Sequence, residues 1–385
     1  MGTFFKCPRC GNEDPNKIGY KNGKPYCRAC ISFRGATAIE TNYKPQGYKI
    51  YIDYELSKEQ QALSDEILNS YINKTPCLIT AVCGSGKTEI VLQTISYVLK
   101  NGGRVGFAIP RVDVVREIKN RLEEIFKDNN VIGVYGGHND ILLGDIVCLT
   151  THQIFRYENY FDLLVLDEID AFPYKGNDTL QNMVLRSVRG SHVQMSATAS
   201  KEQIKYYEEK GWPVLRLDKR YHGYPLPVPK LIIKNNVLKY YELYKTLKRF
   251  EYLNKQVFLF VPTIKGSERL YLVFKHLLKK VNIVHSKKVD RKEIIEDFKK
   301  KKYQTLITTS VLERGVTVKN LQVVVFHADS PLYDSSVLIQ IAGRVGRKKD
   351  APTGEVIFIA SKTNKAIEAA IDDIKKRNKT LQDLF

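Results

Sequence analysis

The chain alternates short apolar runs with segments whose apolar residues recur at helical spacing. Cys77-Leu-Ile-Thr-Ala-Val82 predicts a buried strand, and the amphipathic stretch 89–100 after it predicts a helix. Phe161-Asp-Leu-Leu-Val-Leu166 predicts a second buried strand. The same alternation resumes later, with strands near 257–261, 306–309 and 323–326 and a helix near 267–280. Strands alternating with amphipathic helices build βαβ units on parallel sheets. Between the two sets lies a basic, aromatic stretch, 218–229, interrupted by Pro225, Pro227 and Pro229. Proline continues neither a helix nor a central strand, so this stretch reads as a linker between two lobes. No short internal repeat appears. The division expected is 1–45, 46–222 and 223–385.

Composition narrows the class. The 385 residues are 43% hydrophobic and 27% charged, the profile of a globular chain of about two or three domains rather than a disordered or fibrous one. No apolar run approaches the ~18–20 residues of a membrane span. Met1-Gly-Thr-Phe-Phe-Lys6 offers neither a secretory leader nor a myristoylation signal, so an intracellular chain is expected. The formal charge is +19, unevenly placed: residues 1–49 carry +6, 50–225 carry −3 and 226–385 carry +16. Such ends attract a polyanion, nucleic acid before anionic lipid, although lysine surplus also serves solubility.

Four of the seven cysteines are clustered. Cys7-Pro-Arg-Cys10 and Cys27-Arg-Ala-Cys30 form a C-x2-C-x16-C-x2-C array. Two residues between cysteines let both thiolates of a knuckle face one ion, and two knuckles complete a tetrahedral zinc site. Two disulfides and an iron–sulfur cluster are the alternatives. Lys21-Asn22-Gly23-Lys24, flanked by Tyr20 and Tyr26, reads as a hairpin tip. Cys77, Cys83 and Cys148 are scattered and read as core residues.

The predicted strand at 77–82 leads into Cys83-Gly84-Ser85-Gly86-Lys87-Thr88 and then a helix. That is the context of a phosphate-binding loop, with Ala81 at its first glycine position. Gly84, Ser85 and Gly86 would present backbone N–H groups to phosphates. Lys87 would reach the β- and γ-phosphates of ATP, and Thr88 would ligate magnesium. The second strand ends in Asp167-Glu168-Ile169-Asp170. Asp167 would hold magnesium, and Glu168 would deprotonate the attacking water. In Gly343-Arg344-Val-Gly346-Arg347, small residues allow close approach and two guanidinium groups can pair with phosphate oxygens. If the lobes face each other across ATP, Arg344 and Arg347 act as arginine fingers, Arg347 nearer the transition state.

Gly86-Lys87-Thr88, Asp167-Glu168-Ile169-Asp170, Ser196-Ala197-Thr198 and Gln340-Ile-Ala-Gly-Arg-Val-Gly-Arg347 occur in an order that resembles motifs I, II, III and VI of superfamily 2 helicases. Pro110-Arg111, Thr150-Thr151-His152-Gln153, Phe260-Val-Pro-Thr263 and Thr308-Thr309-Ser310-Val-Leu-Glu313-Arg314-Gly315 resemble motifs Ia, Ib, IV and V. The resemblance implies an α/β chain of two tandem RecA-like parallel-sheet domains preceded by a small four-cysteine zinc ribbon. It further implies that Gln60 reads adenine and that Glu89, Glu313, Gly315 and Gln340 serve the nucleotide. Arg111, Thr151, Thr263 and Thr309 would grip a nucleic-acid backbone without reading bases. His138, His152 and His285 stay unassigned.

The four-cysteine module, the phosphate-binding loop, Leu312-Glu-Arg-Gly-Val316 and above all Ala171-Phe172-Pro173-Tyr174 after the acidic motif together resemble ComFA, the DNA-uptake ATPase of naturally competent Gram-positive bacteria. That likeness implies an ATP- and magnesium-dependent single-stranded DNA translocase of natural transformation, with zinc in its ribbon. It implies a cytoplasmic place at the inner face of the membrane, with ComEC, ComFC and DprA as partners and self-association allowed. The alternatives are a zinc-containing primosomal or repair helicase of the same superfamily, and a nucleic-acid-binding zinc protein with a vestigial ATPase.

Overall fold

A computed structural model describes residues 5–39, 44–82, 84–309, 312 and 316–382. The chain gathers into two compact units, one of residues 1–81 and 86–217, the other of 82–85 and 218–385.

The first unit opens with an antiparallel hairpin, β1 (Ile18–Lys21) and β2 (Lys24–Cys27). Asn22 and Gly23 close it at φ 51° and 71°, as a two-residue loop matched to strand twist requires. There follow α1 (Lys58–Ile72), β3 (Cys77–Ala81), α2 (Leu92–Lys100), β4 (Val105–Ile109), α3 (Val112–Ile125), β5 (Val131–Val134), β6 (Ile146–Thr150) and β7 (Phe161–Leu166). The unit ends with α4 (Asp178–Ser187), β8 (Val188–Ser196), α5 (Lys201–Glu209) and β9 (Val214–Leu217). Seven strands pair in parallel in the order β5-β6-β4-β7-β8-β3-β9. Helices cover both faces, so strand residues alternate between two apolar layers. Cys77, Ile79 and Ala81 enter one layer and Leu78 the other; Leu163 and Val165 enter the first, Leu164 and Leu166 the second. This double burial is why the strands read as continuous apolar runs.

The second unit repeats the design with β10 (Lys230–Ile233), α6 (Leu238–Tyr252), β11 (Gln256–Phe260), α7 (Ile264–Leu277), β12 (Val281–Val284) and α8 (Arg291–Lys299). β13 (Thr305–Thr308), β14 (Leu321–Phe326), α9 (Ser335–Ala342), β15 (Val356–Ala360) and α10 (Lys365–Gln382) complete it. Its parallel sheet runs β10-β15-β14-β11-β13-β12. Phe258 and Phe260 face one layer, Val257 and Leu259 the other. Both sheets have the RecA-like arrangement, as expected. Among the described residues, no helix is long and apolar enough to cross a membrane.

The C-terminal strand ends fall within a residue of the expected ones, and the starts of two helices differ for local reasons. The helix expected over 89–100 begins as a 3-10 turn, Glu89–Val91, before α2. Gly86 at φ 87° breaks the helical hand just upstream, and its carbonyl accepts from the N–H groups of both Glu89 and Ile90. The helix expected over 267–280 starts earlier, because the Thr263 hydroxyl caps the Gly266 N–H at 3.0 Å.

Strand β8 carries a buried titratable group, His192, 6% exposed with its ring edge-on to Trp212. Burial holds its imidazole at about 4, below the usual 6.5. The folded unit therefore excludes a proton that the unfolded chain takes up below pH 6.5. Stability is complete above that pH and is lost as pH falls toward 4. Between pH 7 and pH 5 this residue should cost about 2 kcal/mol. In chemical denaturation at the two pH values, His192→Phe should lose that part of the decline; an unchanged decline would place the proton elsewhere.

Candidate active site

In the first sheet β7, β8 and β3 are neighbours and parallel, so their C-terminal ends share one edge. Ligands of open α/β sheets bind at that edge. Three sequence motifs meet there: Gly86-Lys87-Thr88 beyond β3, Asp167-Glu168-Ile169-Asp170 beyond β7, and Ser196-Ala197-Thr198 at the end of β8. Lys87 Nζ lies 3.2 Å from Asp167 Oδ1, the two side chains being only 17% and 15% exposed. The same oxygen accepts the Glu168 backbone N–H at 2.8 Å. Glu168 itself is left-handed, φ 59°, a conformation that costs a non-glycine residue about 1 kcal/mol or more. Its carbonyl is held by the Ala171 N–H at 2.9 Å.

Asp170 is a positioning residue that sequence reasoning missed. It is 9% exposed and accepts the hydroxyls of Ser196 at 2.9 Å and Thr198 at 2.8 Å. It thereby locks the acidic turn to the end of the neighbouring strand. The available signal was a second carboxylate on the acidic turn with a Ser/Thr pair after a later strand.

Around the loop, Gly84 stands at φ 81° and Gly86 at φ 87°. Ser85 is buried, and its N–H donates to the Val82 carbonyl at 3.2 Å. Thr88 is buried. Gln60 belongs to a capping box: its Oε1 accepts the Ser57 N–H at 3.0 Å while its own N–H donates to Ser57 Oγ at 3.2 Å. That fixes the carboxamide against Gly86, where an added Cβ would collide with Gln60 Nε2. Glu89 pairs with Arg121, and the Tyr54 hydroxyl reaches its Oε1 at 3.5 Å. These contacts flank a cleft of about 720 Å³ lined by Tyr54, Gln61, Glu89 and Gln93 among others.

In the second unit, Gln340 is buried on α9. Arg344 is 2% exposed and donates to the Val316 carbonyl at 2.9 Å. Arg347 is half-buried, its Nε donating to the Gly343 carbonyl at 3.3 Å. Gly346 takes φ 69° beside the Pro352 carbonyl, which leaves no room for a side chain. Arg220, in the stretch read from sequence only as a linker, is also 2% exposed. It donates to the carbonyls of Val345 at 2.7 Å, Gly346 at 2.8 Å and Gly343 at 3.2 Å. His222 meets the Gly346 carbonyl at 2.9 Å. The linker thus shapes the backbone that carries both arginines. Glu313 and Gly315 lie outside the described residues.

Of the expected backbone-gripping residues, Arg111 pairs with Asp113 at 3.1 Å before α3, and Thr263 caps α7. Thr151 and Thr309 are buried at strand ends.

The four N-terminal cysteines converge, their sulfurs all within 4.8 Å of one another and each residue buried. Cys7 and Cys30 sulfurs are 3.7 Å apart, and Cys10 and Cys27 sulfurs 3.6 Å, far beyond a disulfide bond. A tetrahedron with metal–sulfur bonds of about 2.3 Å has edges of about 3.8 Å, so the donor set fits zinc. Burial pushes the Cys10 thiol up to about 11 and raises Cys30 as well. At Cys7 burial also opposes ionisation, but the N–H groups of Cys10 and Arg9 outweigh it and lower the thiol.

Residues 53–201 match the family described as type III restriction enzyme, res subunit, and residues 239–349 match helicase conserved C-terminal domain. Such a pair defines a superfamily 2 helicase-type motor, an enzyme that hydrolyses ATP with magnesium and acts on nucleic acid. Two curated relatives match nearly the whole chain. Competence protein ComFA of Bacillus subtilis (strain 168) is 34% identical, covering 97% of this chain and 86% of its own. Competence protein ComFA of Streptococcus pneumoniae (strain ATCC BAA-255 / R6) is 32% identical, covering 98% and 91%. The chain belongs to the ComFA family. Its fold is shared by S. cerevisiae Dbp5 bound to RNA and ADP BeF3, at a TM-score of 0.61 and 18% identity over 84% of this chain and 91% of that one.

Gly86→Ala forces a Cβ into the left-handed region and against Gln60. It should lower affinity for a fluorescent ATP analogue tenfold or more while costing about 1–2 kcal/mol of stability. Unchanged affinity in equilibrium titration would show that the loop does not hold the nucleotide as described.

Proposed function

We propose that the chain is an ATP-driven single-stranded DNA translocase that powers DNA uptake in natural transformation. The ATP-driven part of this reading is carried by the 3.2 Å pair between Lys87 and Asp167, two charged groups from segments 80 residues apart, brought together at the sheet edge where nucleotides bind, and the uptake part by the similarity to competence proteins ComFA. Lys87 would leave Asp167 to hold the β- and γ-phosphates, and Asp167 with Thr88 would hold magnesium. When bound, the metal would supply charge neutralisation on the phosphate oxygens. Glu168 orients the attacking water and accepts its proton as the bond between the γ-phosphorus and the bridging oxygen breaks. Gly84 and Gly86 would present N–H groups to the phosphates, joined by Ser85 once its N–H leaves the Val82 carbonyl; the reading assigns Gln60 and Glu89 to the base side and Glu313, Gly315 and Gln340 to the nucleotide as well. The reading assigns Arg344 and Arg347 to the transferred phosphoryl group as arginine fingers.

The reading assigns Arg111, Thr151, Thr263 and Thr309 to the sugar-phosphate backbone of the strand, Thr151 and Thr309 being buried when the strand is absent. DNA rather than RNA follows from the competence role of the relatives. Competition between matched DNA and RNA oligomers tests it. On this reading the protein works at the inner face of the membrane with ComEC, ComFC and DprA, and its domains divide at 1–45, 46–222 and 223–385.

The cysteines Cys7, Cys10, Cys27 and Cys30 hold zinc and thereby fix the N-terminal ribbon. Cys27→Ser should abolish stoichiometric zinc by elemental mass spectrometry and speed proteolysis within residues 5–39. Full zinc in that variant would refute the site, and iron in the parent would replace zinc by a cluster.

Lys87→Ala should lower steady-state ATP turnover at least a hundredfold, with or without single strands, because it removes the charge on the transferred group. The parent should turn over faster with single-stranded DNA. Turnover in Lys87→Ala within a few-fold of the parent would refute the site, and a parent rate indifferent to strands would refute the translocase.

A further inference from the structure

The extension Ala171-Phe172-Pro173-Tyr174 contains the most conspicuous side chain of the first unit. Phe172 is 83% exposed, whereas Tyr174 two residues on is 7% exposed. The turn is fastened on both sides. The Ala171 N–H donates to the Glu168 carbonyl at 2.9 Å, and the Ala171 carbonyl accepts from Tyr174 and Lys175 N–H at 3.1 Å each. The Tyr174 hydroxyl accepts from Gln194 Nε2 on β8 at 3.1 Å. A rigid turn thus presents a phenyl ring to solvent where burial was available to its neighbours.

The ring is not isolated. His152, at the start of the turn after β6, lies 6.2 Å from it, edge-on at 64°. Phe33, from the cysteine module, lies 6.3 Å from His152 at 33°. Phe33 in turn lies 5.8 Å from Phe155, over which the guanidinium groups of Arg9 and Arg156 sit at 5.2 Å and 4.8 Å. Three separate segments therefore contribute to one aromatic strip with Arg9 at its far end, in the part of the chain whose first 49 residues carry +6, while Arg156 is buried with its donors on Gln153 Oε1 and the Ala36 carbonyl. Aromatic faces beside guanidinium groups suit unstacked bases on a phosphate backbone.

We propose that Phe172, His152 and Phe33 form a base-stacking platform for single-stranded nucleic acid. The inference deepens the translocase reading and rests on it. Because Ala171 holds the Glu168 carbonyl, a base seated on Phe172 bears on the turn that orients the water-activating carboxylate. Phe172 is a strand-contacting residue, and Ala171 transmits its occupancy.

The test is a binding cycle on the full chain without nucleotide, read by fluorescence anisotropy. The two probes are a labelled oligothymidylate and an abasic phosphodiester of the same length. Phe172→Ala should weaken the thymidylate about five- to 150-fold, the loss of one stacked base, and the abasic strand less than twofold. Phe172→Tyr should bind thymidylate as the parent does. Equal weakening on both probes would overturn the platform, as a general electrostatic or folding defect. No weakening on either would also overturn it and leave the strip to a protein partner. A parent ATPase indifferent to strands would defeat the translocase while leaving a base-selective loss intact, so the two failures are distinguishable.

Discussion

The ion pair between Lys87 and Asp167 is the constraint on which the catalytic half of the molecule turns. Both side chains are largely withdrawn from water, so neither charge can be left alone without a desolvation penalty. Each satisfies the other, and each is of the sign that the other's ligand would supply. Phosphate can replace Asp167 at the lysine, and a divalent cation can replace Lys87 at the aspartate, without a buried charge going uncompensated. The sheet order makes this exchange feasible, because only β8 separates the strands that end in the two groups. The end of β8 is itself tied in by Ser196 and Thr198 on Asp170. A change at the phosphate-binding loop is thus felt by the acidic turn and, through it, by Glu168 and Ala171.

The second unit applies the same economy to backbone. Its two candidate finger arginines stand on a loop held by its carbonyls rather than by its side chains. Arg220 gathers three of those carbonyls, and Arg344 is itself committed to the Val316 carbonyl. A buried guanidinium with several carbonyl partners is a rigid clamp, because its donors are fixed in one plane. The stretch that joins the lobes is therefore also a structural part of the motif that carries Arg347.

What could be read in the sequence follows a physical division. Strands buried on both faces write themselves as apolar runs, so 77–82 and 161–166 were visible, and Asn22-Gly23 announced its hairpin. The phosphate-binding loop and the acidic pair are local patterns and were equally legible. β8 was not, because Arg189, Gly190, Ser191 and His192 interrupt its apolar pattern. Ser191 and His192 are buried all the same, and Arg189 is retained by an ion pair with Asp162 at 2.7 Å. Asp170 and Arg220 were overlooked for a related reason: their partners are distant in the chain, and only tertiary structure shows whom a polar side chain serves. Thr263 shows the converse, since its hydroxyl has a local duty as a helix cap.

The exchange of partners at Lys87 and Asp167 is tested most directly by a crystal structure with magnesium and a non-hydrolysable ATP analogue. Lys87 Nζ should move from Asp167 onto the terminal phosphates, and Asp167 should face the cation. A lysine still 3.2 Å from Asp167 Oδ1 with the analogue bound would contradict it.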